Sequence, residues 1–207
     1  MSAIDLCAVL KQETIAQHRQ IEQVPMMQNM VGGCINLQEY SCLLQGFLSF
    51  YAPLERKIAH FLQQNNITPP ANREYSYIEK GILLENDIKV LASLLPAMPL
   101  VPEYPTTLDI NHWADFLGVL YVIEGSTLGG KLIRERLSQY LGQDVIQATS
   151  FFDCYGKDCK IQWLQTVAFI NKTAIERQIG YQEAINSAQK LFTELGHCLS
   201  QKFLIAA

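Results

Sequence analysis

At 207 residues, 49% of them hydrophobic and 17% charged, the chain is long enough for one generous core and too short for two ordinary domains; a single domain over 1–207 is expected. Sixteen Lys and Arg against 20 Asp and Glu give a net charge of −4, which leaves no basic surplus for a phosphate backbone and disfavours nucleic acid as a partner. No uninterrupted apolar run reaches the roughly 18 residues of a membrane span, Asp5 precedes any long apolar run, and the six cysteines (Cys7, Cys34, Cys42, Cys154, Cys159, Cys198) form no CxxC pair, so a cytoplasmic protein with reduced thiols, no signal peptide and no membrane span is expected.

The periodicity is helical almost throughout. Leu10, Thr14, His18 and Ile21 fall on one stripe of a first helix over roughly 3–24, followed by Pro25. Asn36 with Glu39 three residues on forms a capping box for a second helix, whose pattern Tyr40, Leu43, Leu44, Phe47, Phe50 leads to Pro53, where the helix should bend or restart. Ser76 and Glu79 repeat the capping signature before a third helix that ends at Pro96. Prolines 96, 99, 102 and 105 predict an extended connector. Asp109 then opens a long apolar helix that stops at Gly142, and two more helices are predicted over about 158–178 and 181–203, separated by Gly180. The fold class is all-α, a multi-helical bundle.

Gly125, Gly129 and Gly130 interrupt the fourth helical pattern, where each costs about 0.8–1 kcal/mol relative to Ala. Three readings compete. Bare backbone could let a neighbouring helix pack closely. GSTLGGK at 125–131 matches part of a phosphate loop, but Leu132 stands where Ser or Thr would ligate magnesium, and the strands of a parallel sheet are missing. Alternatively, the helix kinks so that bare backbone lies against a flat ligand.

Of the four histidines, His18 shares a helix face with Glu22 one turn later, which could fix the tautomer of an iron-bound imidazole, and Lys11 offers a cation to a ligand carboxylate. A lone helical histidine is more often a satisfied core or surface residue. Glu194 and His197 form one ExxH motif of the two a non-heme di-iron site requires; Asp109 and His112 read more simply as a helix cap. His60 reads as solvated. No GxSxG elbow is present, and Cys154 and Cys159 lack a zinc spacing.

LKQETIAQHRQIE at 10–22, FYAPLE at 50–55, LGVLYVIEGSTLGGKLI at 117–133 and FFDCYG at 151–156, in this order across most of the chain, resemble bacterial heme oxygenases, and among them the branch associated with bacteriophytochromes. The resemblance implies an all-helical fold with heme between a proximal helix and a glycine-kinked distal helix. His18 corresponds to the proximal iron ligand, Glu22 to the carboxylate beyond it, Gly125 and Gly129 to the distal glycines, and Lys11 to a basic residue near the propionates. Tyr121, Lys157, Lys160 and Phe192 fall in segments that line the pocket or reach propionates in relatives.

The implied reaction is three successive oxygenations with heme as cofactor and substrate, releasing biliverdin, carbon monoxide and ferrous iron. Electrons would come from a ferredoxin, flavodoxin or reductase, because no GxGxxG fingerprint is present. A bacteriophytochrome would be the receiver of biliverdin. Two positions depart from the resemblance: Ser126 stands where relatives carry the Asp that organises distal waters, and Cys159 where glycine is expected. A heme-binding protein without turnover, motivated by Ser126, and a di-iron oxidase, motivated by Glu194 and His197, are the competing readings.

Overall fold

The computed structural model describes residues 5–65, 77–98 and 101–201. Every regular element among them is helical, as the periodicity predicts. The predicted first helix is two: α1 (Leu6–Glu13), capped by the Asp5 carboxylate on the Ala8 N–H, and α2 (Ile15–Glu22). Between them Thr14 leaves helical geometry, its hydroxyl donating to the Leu10 carbonyl at 2.7 Å. A hydroxyl back-bonded one turn earlier bends a helix, which is why the stripe does not run straight through. Pro25 starts a further helix, α3 (Pro25–Gly32), which the sequence reading did not foresee: its missing N–H is no loss in a first turn.

The capping box at Asn36 and Glu39 forms as predicted and opens α4 (Leu37–Gln64). Pro53 does not end this helix. Having no N–H, it leaves the Ser49 carbonyl one turn back without an intrahelical donor, and the backbone N–H of Tyr104 in the proline-rich connector supplies one at 3.0 Å.

Ser76 lies outside the described residues. α5 (Lys80–Leu94) begins after Glu79, whose side chain makes no cap. The cap comes instead from Glu55 on α4, which accepts the Lys80 and Gly81 N–H groups at 2.6 and 2.9 Å. Asp109 does not start the next helix either. It pairs with Lys57, which also reaches the Leu108 carbonyl, and α6 (Trp113–Gly125) starts four residues later, with Asp115 accepting the His112 N–H.

A 3-10 turn, Ser126–Gly129, joins α6 to α7 (Gly130–Leu141), which stops at Gly142. At the glycines the helical pitch changes over these four residues, and the backbone stays right-handed helical on both sides. After two short 3-10 segments, α8 (Cys159–Glu176) and α9 (Tyr181–Ser200) complete the bundle. α6 is the central helix: the Ala184 carbonyl of α9 would lie 2.2 Å from a Cβ at Gly118, so glycine alone permits their contact. The FFDCYG segment folds back on α4, with Phe151 and Phe152 packed on Phe47 and the Tyr40 hydroxyl bonded to the Ala148 carbonyl.

The span Trp113–Leu141 is long and apolar enough by length and composition to cross a membrane, contrary to the run-by-run sequence reading, but half of its most apolar window is buried inside the bundle, as in a core helix. All six cysteines are free thiols, as expected.

Candidate functional site

The Thr14 bend sets the direction of α2 and with it the first candidate, His18. Leu10, Thr14 and Ile21 are buried, but the His18 side chain is 60% exposed, so it is no core histidine. Its Nδ1 lies 3.3 Å from Glu22 Oε1, and its ring meets Phe192 of α9 edge-on with centroids 5.8 Å apart. With Nδ1 facing a carboxylate, Nε2 is the ring nitrogen left open, and it makes no hydrogen bond among the described residues. This is the orientation an iron ligand requires. Lys11, on the last turn of α1, is exposed.

Tyr121 ties this region to α6. Burial pushes its hydroxyl pKa up, and a hydrogen bond with the Thr14 side chain partly offsets that push. The Thr14 side chain thus lies beside α6 one turn before Gly125. Tyr121 also packs on Trp163 of α8, centroids 5.8 Å apart.

The glycines divide sharply by what surrounds them. At Gly130 a Cβ would lie 1.7 Å from the Phe152 carbonyl oxygen, an impossible approach, so this glycine is a packing requirement. At Gly125 a Cβ would meet only the Trp163 ring, at 3.5 Å, and at Gly129 it would meet nothing within 4 Å. Both have ordinary right-handed helical backbone. The close-packing reading is therefore overturned for Gly125 and Gly129: no neighbouring helix needs them, and no positive φ does. No contact among the described residues accounts for their cost, and bare backbone open to the surroundings fits a flat ligand. Ile15, Leu128 and Leu132, on the segments that carry these residues, are large apolar side chains left 44%, 49% and 54% exposed.

Ser126 is exposed and donates to the Ile123 carbonyl at 2.8 Å; burial pushes the pKa of the Tyr51 hydroxyl up, and Ser126 beside it partly offsets that push. Behind the turn, Glu124 and Lys80 form an ion pair at 2.7 Å, each 1% exposed. Sequence reasoning missed this pair, as it missed Trp163 and Tyr51; Tyr51 and Glu124 lay inside the quoted segments, yet nothing local marks their partners. Cys159 does not disturb its turn. It begins α8 with ordinary helical backbone, and its thiol bonds the Thr127 carbonyl at 3.4 Å, linking α8 to the distal turn.

Lys157 and Lys160 are exposed at the entry to α8. The ExxH pair does not converge: Glu194 is buried, both oxygens taken by Thr106 and Thr107, while His197 is exposed. No group of three or more His, Cys, Asp or Glu residues suited to a metal occurs among the described residues.

The heme oxygenase family model matches residues 4–196. The chain belongs to the heme oxygenase family. A heme oxygenase from Xanthomonas campestris pv. campestris (strain 8004) is similar to it, 26% identical over 175 residues that cover 84% of this chain and 97% of the relative. Membership makes the protein a heme-degrading oxidoreductase with heme as its ligand and a redox partner as its source of electrons. The residues present fit that ligand. An exposed imidazole with Nε2 available, bare backbone at Gly125 and Gly129, exposed apolar side chains on the segments that carry them and surface lysines are chemistry that suits a flat, iron-bearing dicarboxylate.

Proposed function

We propose that this chain cleaves heme to biliverdin, carbon monoxide and ferrous iron in the cytoplasm, with dioxygen and with electrons from a ferredoxin, flavodoxin or reductase. Bound heme supplies both the iron that takes up dioxygen and the ring that is oxidised. The protein's part is to hold and orient. His18 would hold the iron through Nε2, with Glu22 on Nδ1 fixing the tautomer and Phe192 against the ring limiting its rotation. Gly125 and Gly129 present bare backbone to the opposite face. Ser126 and Tyr51 offer hydroxyls there that can pass a proton without adding charge. Lys11, Lys157 and Lys160, all exposed, would supply the cations for the propionates. The observation that carries this reading is the pair of glycines whose absence of side chains serves no contact within the chain.

The quoted motifs also support a place in the bacteriophytochrome-associated branch, with biliverdin as a chromophore passed on. Titration of wild type and His18→Ala with hemin, followed by ascorbate or a ferredoxin couple under air, tests the reading. A Soret band saturating at one heme per chain, altered ligation in the variant, and replacement of the Soret by the broad red band of biliverdin are expected. Failure to bind hemin removes the proposal; binding through His18 with heme left intact reduces it to a carrier.

A further inference from the structure

The Ser126–Gly129 turn contains no buried residue, and Gly125 and Gly129 have no tight neighbour, so packing along its own length does not fix its position. Polar ties hold its sides, the Cys159 thiol on the Thr127 carbonyl and the Ser126 hydroxyl on the Ile123 carbonyl, and two anchors in the core hold its ends. At the far end Gly130 sits against the Phe152 carbonyl. At the near end is Glu124, whose backbone carbonyl accepts the Ser126 N–H and the Thr127 hydroxyl, the latter at 2.7 Å, and whose side chain enters the core to meet Lys80.

Lys80 is itself held from several directions. Its ammonium donates to Glu124 Oε1, to the Ile78 carbonyl at 3.0 Å and to the Tyr155 hydroxyl at 3.2 Å, and lies 4.6 and 4.9 Å from the Tyr77 and Tyr155 ring centroids. Its backbone N–H is fixed by Glu55 of α4. The pair thus connects the start of the turn to the α4–α5 corner. Burying two charges is a poor source of stability, since well-packed apolar residues of similar size usually do as well or better; what such a pair supplies best is register.

We propose that the buried Lys80–Glu124 ion pair is a positioning device that fixes the height and pitch of the Ser126–Gly129 turn, and through it the orientation in which the heme ring is presented. The second half rests on the reading of this turn as the heme-facing wall. Neither residue touches the substrate; both act through the backbone of the turn.

The test compares wild type with Lys80→Met/Glu124→Leu, which removes both charges, and with the near-isosteric Glu124→Gln, which keeps the fold if the double variant does not. Thermal melts and hydrogen exchange are measured on ligand-free protein, and heme methyl proton shifts on the hemin complex. In the double variant, melting at or above the wild-type temperature is expected together with exchange at the amides of 126–130 at least tenfold faster and a changed heme methyl pattern. Glu124→Gln is expected to show faster exchange at the same amides. Wild-type exchange in a folded variant overturns the proposal, because the pair would then be structural only. Faster exchange with an unchanged methyl pattern overturns the heme half. The exchange measurement needs no hemin, so a wild type that fails to bind hemin sinks the functional reading and leaves the positioning of the turn to be decided separately.

Discussion

Replacing Gly129 with Ala adds a methyl group to open space at a backbone conformation alanine prefers. Ligand-free protein is expected to gain about 0.4–1 kcal/mol from the lower entropy of the unfolded chain, while hemin affinity falls because the methyl occupies the ring's approach. The same change at Gly130 drives a methyl into the Phe152 carbonyl and is expected to cost about 1–3 kcal/mol or more. Paired melts and hemin titrations of the two variants check both signs. The sequence shows three equivalent glycines here, and their division into one tightly packed and two open ones depends on a carbonyl 22 residues away that no local pattern encodes. The contact of His18 with Glu22 was legible because the two lie one turn apart on the same helix. Cys7 illustrates the converse. Burial first, and then the charge of Asp5, push its thiol up to about 12. The folded state retains the proton longer than the unfolded one, so this contribution to stability is full below about 8.5, and is lost as pH rises from there to about 12. Melting temperature is expected to fall across that alkaline window, and Cys7→Ala to flatten the fall.

Helix ends were legible where the signal is carried by neighbours in sequence: the Asn36 and Glu39 box, Gly142, and Gly180 before α9. They were not where the capping group arrives from another element. α5 is capped by Glu55, and the expected cost of Glu55→Ala is about 1–3 kcal/mol, since two N–H groups at the start of α5 and the Tyr77 hydroxyl lose their acceptor together. A denaturant melt of the variant measures it; amide exchange should rise first at residues 80 and 81. The bend at Thr14 escaped notice for a related reason. Threonine is tolerated in a helix, and only its bond to the Leu10 carbonyl and its link to Tyr121 show that this one turns the chain. The site depends on that turn, because it separates the direction of His18 from that of α1.

At the scale of the whole molecule, the all-helical class and the pairing of a histidine-bearing first segment with a glycine-bearing central helix were present in the order of motifs, and the match over residues 4–196 places them in one family. What the order of motifs could not convey is how the helices are tied across the bundle: Lys80 to Glu124, Cys159 to Thr127, Tyr104 to Ser49. The last of these has a consequence for how freely the connector can vary. Prolines recur there at every third position, 96, 99, 102 and 105, the pitch of a polyproline helix, and Tyr104 falls between two of them. The group that completes α4 is a main-chain N–H, so every amino acid but one can supply it. Residue 104 is open to nineteen side chains as far as that bond is concerned and closed to the very residue its surroundings favour.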